Sequence, residues 1–261
     1  MQFNEYNSSK GSKTSRLEFP VAMSKVLQIL LILLVAVAPS ARAVDPRPDE
    51  NIRPNQYGLV VLEKLADYDA SVAADSAMAL VDLEKEIPNI GMDIRYATDN
   101  NFIKKPAYSM PKAFLRRPAA TALKAVQSEL AQKGLGLKVF DAYRPYSVTL
   151  YFYETVRDTN FVAAPWHGSK HNRGCAVDVS IVSLADGREI EMPTPFDDFS
   201  EKAGPNYPNL APKVIENRTL LISVMKRNGF EVNPFEWWHY DFNGWENYPL
   251  MDIPFETLVN R

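Results

Sequence analysis

An aspartate stands in the middle of an apolar strand. In "GCAVDVSI", residues 174–181, Gly174 ends a loop and the residues after it alternate, so a β-strand starts near Cys175. Side chains two apart share a face, which puts Ala176, Asp178 and Ser180 on one side and Cys175, Val177 and Val179 on the other. A carboxylate left charged and unpaired in such a strand costs several kcal/mol. Asp178 therefore needs a cation or a set of hydrogen-bond donors, and salt-bridged structural aspartates meet that need as well as metal-bound ones. The sole cysteine, Cys175, points to the apolar side and reads as a small core residue, not a nucleophile.

A second feature narrows the choice for Asp178. Of only three histidines, His171 precedes the strand and His239 closes "EWWH", where Glu236 stands three residues before it. Zinc hydrolysis needs three nitrogen or oxygen ligands, an open position for water and a carboxylate that reaches the water without binding the metal. His171, Asp178 and His239 can supply the ligands, and Glu236 is the spare carboxylate. Each histidine alone could be incidental; the four residues together argue for the site. A spacing of three would place Glu236 and His239 on opposite faces of a regular strand, so Glu236 is expected in a turn or bulge after Pro234, with the strand starting around Trp238. His167 stands four before His171, but Gly168 between them and Pro165 upstream argue against a helix, and it is left out of the ligand set. Trp237, Trp238, Tyr240 and Phe242 read as core and pocket wall.

Arg144 is also awkwardly placed, in "DAYRP" at a strand end, where Pro145 holds it extended. A guanidinium there can bind a substrate carboxylate or a developing oxyanion. A structural pair with Asp141 is the other reading, and the residues alone leave both open.

Along the chain, "DSAMALVDLEKEIPNI" has apolar residues at helical spacing up to Pro88, and "GMDIRYATDNNF" alternates at Met92, Ile94 and Tyr96 as a strand. Residues 115–132 put Leu123, Val126 and Leu130 on one helical face, stopped by Gly134 and Gly136. "LGLKVFDAYRP" reads as a strand, with a helix after Pro145; residues 210–229 carry Val214, Arg218, Leu221, Ile222 and Met225 on one helical face; "FEWWHYDF" is the last strand. Helices and strands interleave without βαβ spacing, which predicts one α+β domain with helices packed on a mainly antiparallel sheet that carries the zinc site.

The N-terminus differs from the remainder. Lys10, Lys13, Arg16 and Lys25 precede an apolar run from Val26 to Ala38, and Ala41-Arg42-Ala43 follows, the order of a cleavable export signal. The run is short of the about 20 residues a membrane span needs, so no stable span is expected after cleavage. No cysteine follows it, which excludes a lipoprotein, and Met23 competes with Met1 as the start. The expected organisation is a signal peptide over 1–43, a linker or N-terminal extension over 44–75 and one domain over 76–261, exported to the periplasm or beyond. One cysteine cannot form an internal disulfide, so packing must supply stability. A net charge of −3 with no basic run beyond the leader gives no footprint for nucleic acid.

With these residues in place, the chain resembles the D-alanyl-D-alanine dipeptidases, zinc peptidases related to the zinc D,D-carboxypeptidases. The match rests on S-x-H-x(6)-D at Ser169, His171 and Asp178, on E-x-W-H at Glu236, Trp238 and His239, and on the arginine of "YRP", and it extends over roughly residues 80–258. The resemblance implies a small dipeptide substrate, one zinc ion on His171, Asp178 and His239, Glu236 as general base and Arg144 holding the transition state. It further implies Tyr96 in "RYATDNNF" and Ser169 as substrate-binding residues, and Asp197 in "MPTPFDD" as the anion that meets a free amino group. Lys170 departs from the pattern, where serine is common beside the zinc histidine. A D,D- or L,D-carboxypeptidase of peptidoglycan stems, and a zinc-stabilised binding module without catalysis, are the competing functions.

Overall fold

A computed structural model describes residues 53–159 and 162–259. The expected signal peptide, the choice between Met1 and Met23 and the first part of the extension lie outside the described residues. The strands are β1 (Val61–Leu62), β2 (Leu80–Asp82), β3 (Gly91–Met92), β4 (Phe114–Arg116), β5 (Leu135–Asp141), β6 (Ala176–Ser183), β7 (Phe230–Val232), β8 (His239–Phe242) and β9 (Leu250–Met251). The helices are α1 (Leu65–Ala74), α2 (Leu83–Glu86), α3 (Arg117–Ala131), α4 (Tyr146–Val156), α5 (Pro212–Arg227) and α6 (Phe255–Leu258).

Five strands form the central sheet in the order β3-β5-β6-β8-β7. Only the edge pair β3/β5 is parallel; β5/β6, β6/β8 and β8/β7 are antiparallel. The α+β expectation with a mainly antiparallel sheet therefore holds. Leu123, Val126 and Leu130 of α3 and Leu221, Val224 and Met225 of α5 share one core with Val177, Val179 and Ile181 of β6, all fully buried. Each such side chain contributes about 1.5–3 kcal/mol relative to exposure. Cys175 is buried as expected, and burial pushes its thiol up to about 12. Among the described residues no helix is long and apolar enough to cross a membrane.

Three local expectations change. Residues 80–82 form a strand, not the expected helix, because they pair antiparallel with β4, and Asp82 then caps the short α2 by accepting from the Glu84 N–H. The Met92–Tyr96 strand stops at Met92: residues 95–97 turn as a 3₁₀ helix, and Asn101 Nδ2 holds that turn by donating to the carbonyls of Arg95, Thr98 and Lys105. The second half of the expected linker is folded. β1 pairs with β9, and α1 buries Tyr68, whose hydroxyl accepts from the Leu80 N–H. The alternation of β7 was not recognised in the sequence; it covers only three residues at the sheet edge.

Candidate metal centre

Register brings the site together. Asp178 of β6 lies opposite His239 of β8 on one side and opposite Asp141 of β5 on the other, so these three side chains stand abreast. Asp141 reaches that face through a β-bulge. Val139 pairs with Val179 of the apolar face, and Asp141, two residues on, pairs with Asp178 of the polar face; the extra residue at Phe140 changes the side that Asp141 presents. His171 arrives from a 3₁₀ turn, His171–Arg173, closed by Gly174 at φ +68. A side chain at Gly174 would be strained in that left-handed backbone and would meet Leu80. Fully buried Asn172 ties the turn down: its Oδ1 accepts from the Ser169 N–H, and its Nδ2 donates to the Arg144 carbonyl and Thr149 Oγ1.

Three ligand atoms converge. His171 Nε2 and His239 Nδ1 are 3.1 Å apart, and Asp178 Oδ1 is 3.4 Å from the first and 3.1 Å from the second. A tetrahedral zinc with bonds of about 2.0–2.1 Å separates its ligands by about 3.3 Å. The proton positions agree with such an ion. His171 Nδ1 lies 2.6 Å from the Ala142 carbonyl, which can only accept, so that nitrogen carries the proton and Nε2 offers a lone pair. His239 Nε2 faces Asp241 Oδ1 at 2.9 Å, which leaves Nδ1 for the centre. Asp178 Oδ1 is buried and has no hydrogen-bond partner. Burial lowers the basicity of His239, yet its contacts with Asp178 and Asp241 outweigh that and raise it to about 10. The centre thus attracts positive charge, and its nitrogen and oxygen donors fit zinc.

All eight candidate residues from the sequence line one cavity of about 710 Å³: Tyr96, Arg144, Ser169, His171, Asp178, Asp197, Glu236 and His239. Glu236 precedes the turn that leads into β8, off the regular strand as expected, with Oε2 3.8 Å from His239 Nδ1. Burial raises its pKa, which suits a base working near neutrality. Arg144 makes the structural pair with Asp141. Its Nε and Nη2 donate to Asp141 Oδ2 at 3.0 and 2.7 Å, and the guanidinium, seated over Tyr96 and Phe152, still lines the cavity. Asp197 Oδ1 accepts from the Tyr96 hydroxyl at 3.0 Å, while its buried Oδ2 has no partner. Asp197 sits at φ +62, a backbone state that costs a non-glycine residue about 1–3 kcal/mol and tends to persist at functional sites. Phe196 beside it packs on the end of β5, stacked on Phe140 at 4.7 Å, with the Arg95 guanidinium over both rings. Ser169 Oγ accepts from the His171 N–H. His167 is exposed at the cavity rim, outside the triad.

Asp241 and Asn172 were not singled out in the sequence. Asp241 had a readable signal, two residues after His239 on the same strand face; Asn172 had none.

Residues 76–254 match the M15 peptidase family model, described as D-ala-D-ala dipeptidase. A D-alanyl-D-alanine dipeptidase of Escherichia coli is 30% identical over 181 residues, covering 69% of this chain and 93% of the relative. One from Enterococcus faecalis is 27% identical over 199 residues, covering 68% and 95%. A solved structure of the D,D-pentapeptidase VanY with Zn(II) aligns at a TM-score of 0.35 and 16% identity, over 53% of this chain and 78% of that one.

Removing a ligand should empty the centre. Metal analysis of the purified chain is expected to find about one equivalent of zinc, and next to none in His171→Ala or Asp178→Asn, while Asp241→Asn binds about 10–100-fold more weakly. Full zinc retention by both ligand variants would refute the assignment.

Proposed function

Because the chain belongs to the D-Ala-D-Ala dipeptidase family of M15 metallopeptidases, we propose that it hydrolyses the free D-alanyl-D-alanine dipeptide to two D-alanines, with one zinc ion on His171, Asp178 and His239. The observation that carries the reading is the buried, partnerless Asp197 Oδ2 in the cavity that holds the three converging ligands. An uncommitted anion there suits the free ammonium of a dipeptide, which an acylated stem peptide lacks.

When bound, zinc would supply a Lewis acid and lower the pKa of a water toward about 7. Glu236 takes the proton of the attacking water and passes it to the leaving amine. Arg144, fixed by Asp141 Oδ2, stabilises the oxyanion that develops on the amide oxygen; Nη1 is not used by that ion pair. Asp197, oriented by Tyr96, holds the substrate ammonium, and Ser169 lines the same cavity.

Glu236→Ala should lower kcat on D-Ala-D-Ala by about 10²–10⁴-fold with zinc retained. Near-normal turnover would remove Glu236 from the mechanism. The same assay separates the readings: the dipeptidase cleaves free D-Ala-D-Ala and spares an acylated peptide ending in D-Ala-D-Ala, whereas a D,D-carboxypeptidase cleaves the acylated peptide.

The amine anchor should also appear in the pH profile. Burial pushes Asp197 up to about 7; Asp178 and Glu236 add to the rise, and Tyr96 and Arg144 oppose it. Below that pH the carboxyl is protonated and loses its hold on the ammonium, so KM rises as pH falls through about 7. Tyr96→Phe removes an opposing hydrogen bond and moves this limb to higher pH. A KM independent of pH between about 5.5 and 8 would contradict the role.

The basic, apolar and small-residue order of residues 1–43 supports export. The domain, which begins before residue 76 because β1 and α1 pack on it, would then meet dipeptide outside the cytoplasmic membrane, in scavenging or wall turnover. Cell fractionation is expected to find the activity outside the cytoplasm, and chiefly cytoplasmic activity would overturn this placement.

A further inference from the structure

Two ion pairs back the two histidines of the centre. Behind His171 stands Asp141, whose Oδ2 is 3.8 Å from Nδ1 and carries Arg144. Behind His239 stands Asp241, whose Oδ1 meets Nε2 at 2.9 Å and whose Oδ2 carries Lys170 at 3.0 Å. Each histidine is thus backed by a carboxylate that carries a cation, and both cations line the cavity. Arg144 belongs to the amine end: its guanidinium lies 5.3 Å over Tyr96, whose hydroxyl bonds Asp197. A dipeptide zwitterion is at most about 7 Å long, so the cation that meets its carboxylate must line the same cavity as Asp197. Among the described residues, the other Arg and Lys side chains lining the cavity are Arg173 and Lys170. Arg173 is half-buried, donates to the Tyr248 carbonyl and also lies over Trp245, but it has no carboxylate partner tying it to a histidine of the centre. Lys170 has a side chain 38% exposed and three N–H donors, of which Asp241 needs one. Trp245 underlies the ammonium at 5.3 Å and fixes where it stands.

We propose that Lys170 receives the terminal carboxylate of the substrate, so that the chain selects peptides with a free C-terminus spanning Asp197 and Lys170. The assignment rests on the dipeptidase reading and adds its second anchor. It explains why an ammonium can stand beside a metal-binding histidine: Asp241 neutralises it at rest, and the substrate shares it during binding. Specificity follows from opposite charges at the two ends, so a blocked end of either kind is disfavoured.

The test compares D-Ala-D-Ala with D-alanyl-D-alaninamide, which lacks the carboxylate, in the zinc-loaded wild-type chain, Lys170→Met and Lys170→Arg. The amide is measured as a substrate or, if slow, as a competitive inhibitor. Wild type should favour the acid; Lys170→Met should raise KM for the acid by about tenfold or more, with the amide and the zinc content unchanged. Lys170→Arg should keep the preference. Equal losses on both compounds, or lost zinc, would mean that Lys170 acts through Asp241 and His239, and would overturn the subsite, as would no change on either. If wild type turned over D-Ala-D-Ala not at all, the dipeptidase reading itself would fail and the subsite with it.

Discussion

Two imidazole lone pairs and a carboxylate oxygen face one another at 3.1–3.4 Å inside a buried sheet, and only positive charge makes that arrangement stable. The surroundings are built to maintain it. The Ala142 carbonyl and Asp241 set which ring nitrogens carry protons, and the β6/β8 register sets Asp178 against His239. Without a cation, the centre's best alternative is a proton held by His239, which is the sense in which its pKa is raised.

The same face shows how a buried ion pair can serve orientation. Asp141 accepts from the Tyr108 hydroxyl and the Ala142 N–H on one oxygen and from Arg144 on the other, so the guanidinium is held by a carboxylate that is itself fully satisfied. A buried pair of this kind contributes little net stability. What it gives is a charge held rigidly at the cavity wall, against the rings of Tyr96 and Phe152.

Much of this was readable because the chemistry is unusual for its place in the sequence. Asp178 interrupts an alternating apolar strand, and Glu236 and His239 share a spacing that no regular strand can use, so each announced a constraint that only the fold could resolve. The helices α3, α4 and α5 declared themselves through long amphipathic faces or a leading proline. Short elements did not. Leu80, Val81, Leu83 and Ile87 fit a helix as well as a strand followed by one turn, and pairing with β4 decides between them. The bulge at Phe140 depends on β6, far along the chain, and no local pattern encodes it; the turn held by Asn101 is local, bonding carbonyls three to six residues away, but the alternation of Met92, Ile94 and Tyr96 masks it. Asp141 was visible as a partner for Arg144, but its place beside Asp178 was not.

X-ray absorption at the zinc edge of the zinc-loaded chain tests the central claim most directly. The account predicts nitrogen and oxygen neighbours alone at about 2.0–2.1 Å, two of them imidazoles with their characteristic outer-shell scattering. A sulfur neighbour at about 2.3 Å, or a zinc without imidazole, would contradict it.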